Sequence, residues 1–143
     1  MASMMDKVVI VTGGSRGIGR STVIALAKRG VRSIFTYHSN AAEAGKVAAL
    51  AAEAGAEAVA LQLDIAQAST FPAFAVAVRE ALGALKAERF DYLVNNAGTS
   101  SGSNLATITE AEMDALYAVH FKGPLFLTQA LAPLMNDGGR IVN

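Results

Sequence analysis

Short β-branched and aromatic runs alternate along this chain with longer segments whose apolar positions recur every three to four residues. Val8-Val9-Ile10-Val11 is a continuous β-branched run, the pattern of a strand buried on both faces. A glycine-rich stretch over 13–19 follows. A helix is then expected from about Ile18 to Arg29, stopped by Gly30, with Lys28 and Arg29 in its last turn, where the helix dipole favours cations. Ser33-Ile34-Phe35-Thr36-Tyr37 reads as a second strand. Asn40 is placed to cap a helix over 41–54 whose apolar stripe is Val47, Leu50, Ala51 and Ala54, and Gly55 ends it. A third strand is expected over 57–63, closed by Asp64. Ser69 or Thr70 is expected to cap a third helix with Pro72 in its first turn and Phe71, Phe74, Val78, Leu82 and Leu85 along one side.

Tyr92-Leu93-Val94-Asn95 reads as a fourth strand, followed by a loop rich in Gly, Ser, Asn and Thr to about 108. Thr109 and Glu112 have capping-box spacing, so a fourth helix starts there. Met113, Leu116, Tyr117 and His120 share one face of it. Gly123-Pro124 is expected to bend or split this helix. Leu127, Leu131, Leu134 and Met135 continue the apolar side until Asp137-Gly138-Gly139 stops it, and Arg140-Ile141-Val142-Asn143 opens a fifth strand. Strands alternating with helices of this length imply parallel β-α-β units and a doubly wound α/β sheet, with residues 1–143 as one domain.

Composition narrows the function. Of 143 residues, 52% are hydrophobic and 17% charged, enough for a packed core and against disorder. Twelve basic and twelve acidic residues cancel, so no basic footprint for nucleic acid or an anionic membrane is visible. No stretch approaches the roughly 20 apolar residues of a membrane span, and residues 1–7 carry no targeting segment. The absence of cysteine removes disulfides, thiol chemistry and Cys-based zinc sites, and no metal site is expected. The expected location is cytoplasmic.

The strongest candidate chemistry is Thr12-Gly13-Gly14-Ser15-Arg16-Gly17-Ile18-Gly19, set between a strand and a helix. A tight turn there needs unusual backbone angles, and a diphosphate must approach bare backbone at a helix N-terminus. A rival reading takes residues 14–21 as a near-match to the P-loop, with Asp64 as a metal-binding acid. Arg20 then stands at the lysine position, where a planar guanidinium replaces a compact ammonium poorly. Tyr37-His38-Ser39-Asn40 closes the second strand without the acid that would grip a ribose 2′-hydroxyl. Arg16 offers a guanidinium, and Ser39 and Asn40 offer neutral donors, so NADP(H) is favoured over NAD(H).

The glycine motif at 12–19, Asp64-Ile65 after the third strand and Asn95-Asn96-Ala97-Gly98 after the fourth resemble the short-chain dehydrogenase/reductase family over the whole chain, most closely its 3-oxoacyl carrier-protein reductase-like members. The resemblance implies a Rossmann sheet of order 3-2-1-4-5, continued in the family by strands six and seven. It implies NAD(P)-dependent oxidation or reduction of a small-molecule carbonyl/alcohol pair. Gly13, Gly17 and Gly19 would shape the diphosphate turn, Ser15 and Arg16 would meet the adenosine phosphate side, and Ile18 would lie by the nicotinamide. Asp64 and Ile65 would hold adenine, and Asn95, Ala97 and Gly98 would line the ribose and steady the sheet.

The family's serine and its Tyr-x-x-x-Lys pair follow the fifth strand, and the 143 residues contain neither, so no catalytic residue is assigned within them. The chain is therefore expected to hold the cofactor-binding half of a longer enzyme and to be inactive alone; the alternative is a silent dinucleotide-binding or interaction module. His120 occupies the position of the family's helix-four asparagine. It is read either as an interior histidine satisfied by backbone or as a group that positions a water. Lys122 lies on the wrong helix to be the family's lysine. The fourth helix is expected to form a homo-oligomer interface, by resemblance.

Overall fold

Residues 8–11, four β-branched side chains that pack well on a pleated surface buried on both faces, form the central strand of the sheet. The computed structural model describes residues 4–143; the earliest part of the segment read for targeting signals, residues 1–3, lies outside them. The strands are β1 (Val8–Val11), β2 (Arg32–Tyr37), β3 (Ala58–Gln62), β4 (Phe90–Val94) and β5 (Met135–Val142). They pair in the order β3-β2-β1-β4-β5, every pair parallel. The helices are α1 (Gly17–Ala27), α2 (Ala41–Ala54), α3 (Phe71–Ala84), α4 (Glu110–Tyr117) and α5 (Gly123–Leu131).

Side-chain alternation along β1 divides the core in two. Val8 and Ile10 join Ile34, Phe71, Phe74, Val78, Leu82, Leu127 and Leu131, so α3 and α5 cover that face. Val9 and Val11 join Val23, Ala27, Phe35, Val47 and Ala51, so α1 and α2 cover the other. All four β1 side chains are buried, each worth roughly 1.5–3 kcal/mol. The doubly wound sheet read from the sequence is the one observed.

Several boundaries differ from the sequence reading. Helix α1 ends at Ala27 and Lys28 is its C-cap; Arg29 and Gly30 form the closing turn, with Gly30 at φ 74°. Strand β3 is shorter than 57–63, although the Glu57 carbonyl and the Leu63 N–H extend its pairing to β2 at both ends. Strand β4 starts two residues early, at Phe90, because Asp91 is held there by Lys7 Nζ (2.8 Å) and the Val8 N–H (2.9 Å). Thr70 does not cap α3 with its side chain. Its own backbone is already helical, and its hydroxyl turns back to donate to the Gln67 carbonyl.

The capping box of Thr109 and Glu112 and the Asn40 cap of α2 both form. Between α4 and α5, residues 118–122 make a π-helical turn, which accommodates Pro124 with its missing N–H. Leu134 and Met135 do not continue α5. Pro133 ends regular helix at Leu131, Ala132–Leu134 form a 3-10 turn, and Met135 already pairs with Phe90. Asp137-Gly138-Gly139 is therefore not a helix stop but part of an irregularity in β5 opposite Asp91, with Gly138 at φ 77°.

Candidate dinucleotide site

The carboxyl ends of β1, β2 and β4 bring three loops to one edge of the sheet, where open α/β folds bind ligands. The turn after β1 is fixed by buried hydroxyls on its neighbours. The Gly13 N–H donates to Thr36 Oγ1 (3.0 Å), and the Gly14 N–H to the Thr36 carbonyl (2.8 Å). Thr12 Oγ1 accepts from the N–H groups of Asn96 (3.0 Å) and Ala97 (2.9 Å), tying the turn to the end of β4. Asn96 Nδ2 donates to the carbonyls of Thr12 (3.0 Å) and Gly13 (3.1 Å).

Close approach requires glycine at three of these positions; a Cβ on Gly13, itself at φ 69°, would lie 2.9 Å from Ala97 Cα. A Cβ on Gly14 would lie 2.6 Å from the Phe35 Cβ, and one on Gly19 would lie 2.0 Å from the Gly13 carbonyl oxygen. Gly17, at φ 57°, is required by conformation instead: a Cβ there would meet nothing within 4 Å. The result is a turn of bare backbone running into α1. The residue before the helix, Arg16, makes no side-chain cap, so the first-turn N–H groups of α1 are left for a ligand.

A cavity of about 490 Å³ opens on this turn. It is lined by Gly13, Ser15, Arg16, Gly17 and Ile18 on one side, Tyr37, His38, Asp64 and Ile65 on another, and Ala97, Gly98 and Thr99 on a third. A neighbouring cavity of about 570 Å³ shares His38, Leu63 and Asp64 and adds Ser39. Asp64 Oδ1 accepts from the Ala66 N–H (3.0 Å), and Oδ2 lies 3.7 Å from His38 Nε2. The bare turn, the open helix end and the adjoining volume fit a dinucleotide whose diphosphate rests on α1 and whose adenosine extends toward β3.

Three residues named from the sequence do not line these cavities. Gly19 is buried behind the turn rather than lining it. Asn40 accepts from the Glu43 N–H as the cap of α2. Asn95 reaches Asn143 Oδ1 (2.7 Å) and Thr128 Oγ1 (3.5 Å), so it steadies the ends of β4 and β5 against α5, as the resemblance implies, without lining the cavity. Thr36, Leu63, Asn96, Thr99 and Val119 also line the cavity. Thr36 is a hydroxyl one residue from the end of β2, and Asn96 stands inside the Asn95-Asn96-Ala97-Gly98 motif.

His120 is exposed rather than interior, yet backbone does satisfy it: Nε2 lies 2.6 Å from the Thr99 carbonyl oxygen and 3.2 Å from its nitrogen. Below it, Glu112 ties the loop after β4 to α4. It accepts from the hydroxyls of Ser101 (2.9 Å), Ser103 (2.5 Å) and Thr109 (2.9 Å) and from the Thr109 N–H (2.9 Å). The Ser103 hydroxyl first, then Thr109 and Ser101, stabilise the carboxylate and lower its pKa to about 2.

The sequence profile described as short chain dehydrogenase matches residues 7–143. The chain belongs to this family. The 3-oxoacyl-[acyl-carrier-protein] reductase of Synechocystis is 32% identical over 145 residues, covering 100% of this chain and 57% of the relative. A short-chain dehydrogenase of Burkholderia cenocepacia, solved in complex with NADP, superposes with a TM-score of 0.86 at 34% identity, over 97% of this chain and 55% of that one. An NADH-dependent reductase complexed with NAD superposes at 0.80 with 27% identity, over 92% and 54%. The chain thus spans little more than half the length of the relatives it matches. Among the described residues, no helix is long and apolar enough to cross a membrane.

Proposed function

We propose that this chain seats NADP(H), in preference to NAD(H), for an oxidoreductase that interconverts a carbonyl and an alcohol on a small molecule. The observation that carries this reading is the cavity on the glycine turn: unfilled helix N–H groups, Arg16 at its rim, and no carboxylate among Tyr37, His38 and Ser39 at the end of β2. The bound nicotinamide would supply or accept the hydride. The residues of the turn would hold the diphosphate, Arg16 would pair with a 2′-phosphate, and Asp64 with Ile65 would border adenine. Gly98 and Thr99, braced by His120, would border the nicotinamide side. The NADP-bound neighbour and the 3-oxoacyl reductase relative support the choice of cofactor and of chemistry; the NAD-bound neighbour pulls the other way.

The exposed Met113, Tyr117, Phe121, Leu125 and Phe126 on α4 and the segment after it support self-association through that face. The cysteine-free composition supports a reducing, cytoplasmic setting. A second reading is a dinucleotide-binding module without turnover.

The test is to follow NADPH absorbance with a panel of ketones on the 143-residue chain and on a chain extended by a segment bearing Ser and Tyr-x-x-x-Lys. The proposal expects NADPH binding in both and ketone-dependent oxidation only in the longer chain. Binding without oxidation in both leaves the module.

A further inference from the structure

We infer that Glu112 is a positioning residue for the nicotinamide half of the site, holding the loop after β4 so that Gly98 and Thr99 stand as a ready-made wall. This rests on the proposed dinucleotide reading and deepens it. The two oxygens of the Glu112 carboxylate have different partners. Oε2 accepts from the Thr109 N–H (2.9 Å) and the Thr109 hydroxyl (2.9 Å), which completes the capping box of α4. Oε1 accepts from the hydroxyls of Ser101 (2.9 Å) and Ser103 (2.5 Å). Capping needs only the first oxygen. The second holds the loop, and between them the acceptor sites of the carboxylate are filled.

The loop has little slack. The Ser103 N–H donates to Ser101 Oγ (3.0 Å), so the two serines close one turn around Oε1. Beyond them the chain folds on itself: the Asn104 N–H donates to Thr107 Oγ1 (3.0 Å), and the Ala106 N–H to Asn104 Oδ1 (2.9 Å). On the other side His120 holds the Thr99 backbone. Helix α4 and the π-helical turn after it thus grip the loop at Thr99 and again at Ser101 and Ser103, with Ser100 between. Gly98 and Thr99 line the dinucleotide cavity. Hydrogen bonds to a charged acceptor are the stronger kind, and Glu112, with its pKa lowered to about 2, is charged at neutral pH.

A wall fixed before the ligand arrives has no ordering cost when the nicotinamide docks. A wall free to drift pays that cost and holds the ring less well. The effect belongs to one end of the ligand. The diphosphate turn is fixed by Thr12, Thr36 and Asn96, which make no hydrogen bond to Glu112, Ser101 or Ser103.

The experiment measures Kd on the full 143-residue chain for two probes: NADP+, and 2′-phosphoadenosine diphosphate ribose, which is NADP+ without its nicotinamide. It compares the native protein with Glu112→Ala and with the double variant Ser101→Ala, Ser103→Ala, each checked for folding by thermal unfolding. The double variant keeps the Thr109–Glu112 box, so it carries the test alone should Glu112→Ala unfold the start of α4. The native chain is expected to bind NADP+ more tightly than the shorter probe. Both variants should weaken NADP+ about threefold to tenfold and leave the shorter probe within about twofold of native. If the native chain binds NADP+ no more tightly than the shorter probe, if the variants weaken both probes equally, or if they weaken neither, the inference is overturned while the dinucleotide reading stands. If the native chain binds neither probe, the inference and the reading beneath it both fall.

Discussion

The Gly19 Cα faces the Gly13 carbonyl oxygen so closely that a methyl group added there would come within 2.0 Å of it. Asn96 Nδ2 would crowd the same methyl at 2.6 Å. Gly19→Ala must therefore push the start of α1 away from the turn. The expected cost is about 1–3 kcal/mol in urea unfolding, together with loss of dinucleotide binding. Gly17→Ala meets no neighbour and pays only for its left-handed backbone, about 1–2 kcal/mol. Equal loss of binding in the two variants would contradict this account of the turn.

Arg16 is exposed at the rim of the cavity and makes no side-chain cap to α1. Arg16→Ala should weaken NADP+ about tenfold and NAD+ less than about threefold, because its guanidinium meets a charge in only one of them. Calorimetric titration of both dinucleotides checks the difference. Equal weakening would place Arg16 on the diphosphate instead.

Asp91 lies at the opposite end of the sheet and serves the fold. Burial, the largest single influence, pushes its carboxyl up. Lys7, the Val8 N–H and Asn136 together outweigh burial and hold its pKa below the ordinary aspartate value. A depressed folded pKa gives stability that is whole above the ordinary value, near 3.8, and is lost as pH falls through the folded one. Asp91→Ala strands the Val8 N–H and should cost about 2–4 kcal/mol at neutral pH. The deficit should shrink below about pH 4. A deficit constant down to strong acid would show that the charge contributes nothing.

Glu112 fastens the loop after β4. Its pKa, lowered from 4.5 to about 2, makes this fastening complete above pH 4.5 and lost as pH falls toward 2. Glu112→Gln should speed hydrogen exchange at the Ser103 and Thr109 amides at neutral pH and leave β1 and β4 protected. Unchanged exchange across residues 101–109 would contradict the role.

Much of the architecture was legible because local chemistry and tertiary context agree. The β-branched run of β1, the Asn40 cap and the Thr109–Glu112 box each require what the fold provides. What stayed hidden depends on neighbours distant in sequence. Asn95 and Asn96 are adjacent and identical, yet one bridges to Thr128 and Asn143 and the other braces the glycine turn. Strand periodicity separates their directions, but only the flanking elements decide which meets the cradle. The start of β5 was masked because Gly139 packs against Asp91 across an irregular register: a Cβ on it would lie 2.6 Å from the Asp91 carbonyl oxygen. His120 was open to an interior reading, but the whole face it shares with Met113 and Tyr117 is exposed, and only the Thr99 backbone meets its ring.

Calorimetric titration of NADP+ into the 143-residue chain, repeated with Gly19→Ala, tests the central claim most directly. The account predicts saturable one-site binding to the native chain and none to the variant. Absence of binding by the folded native chain, or undiminished binding by Gly19→Ala, would show that the turn at 13–19 does not seat a dinucleotide.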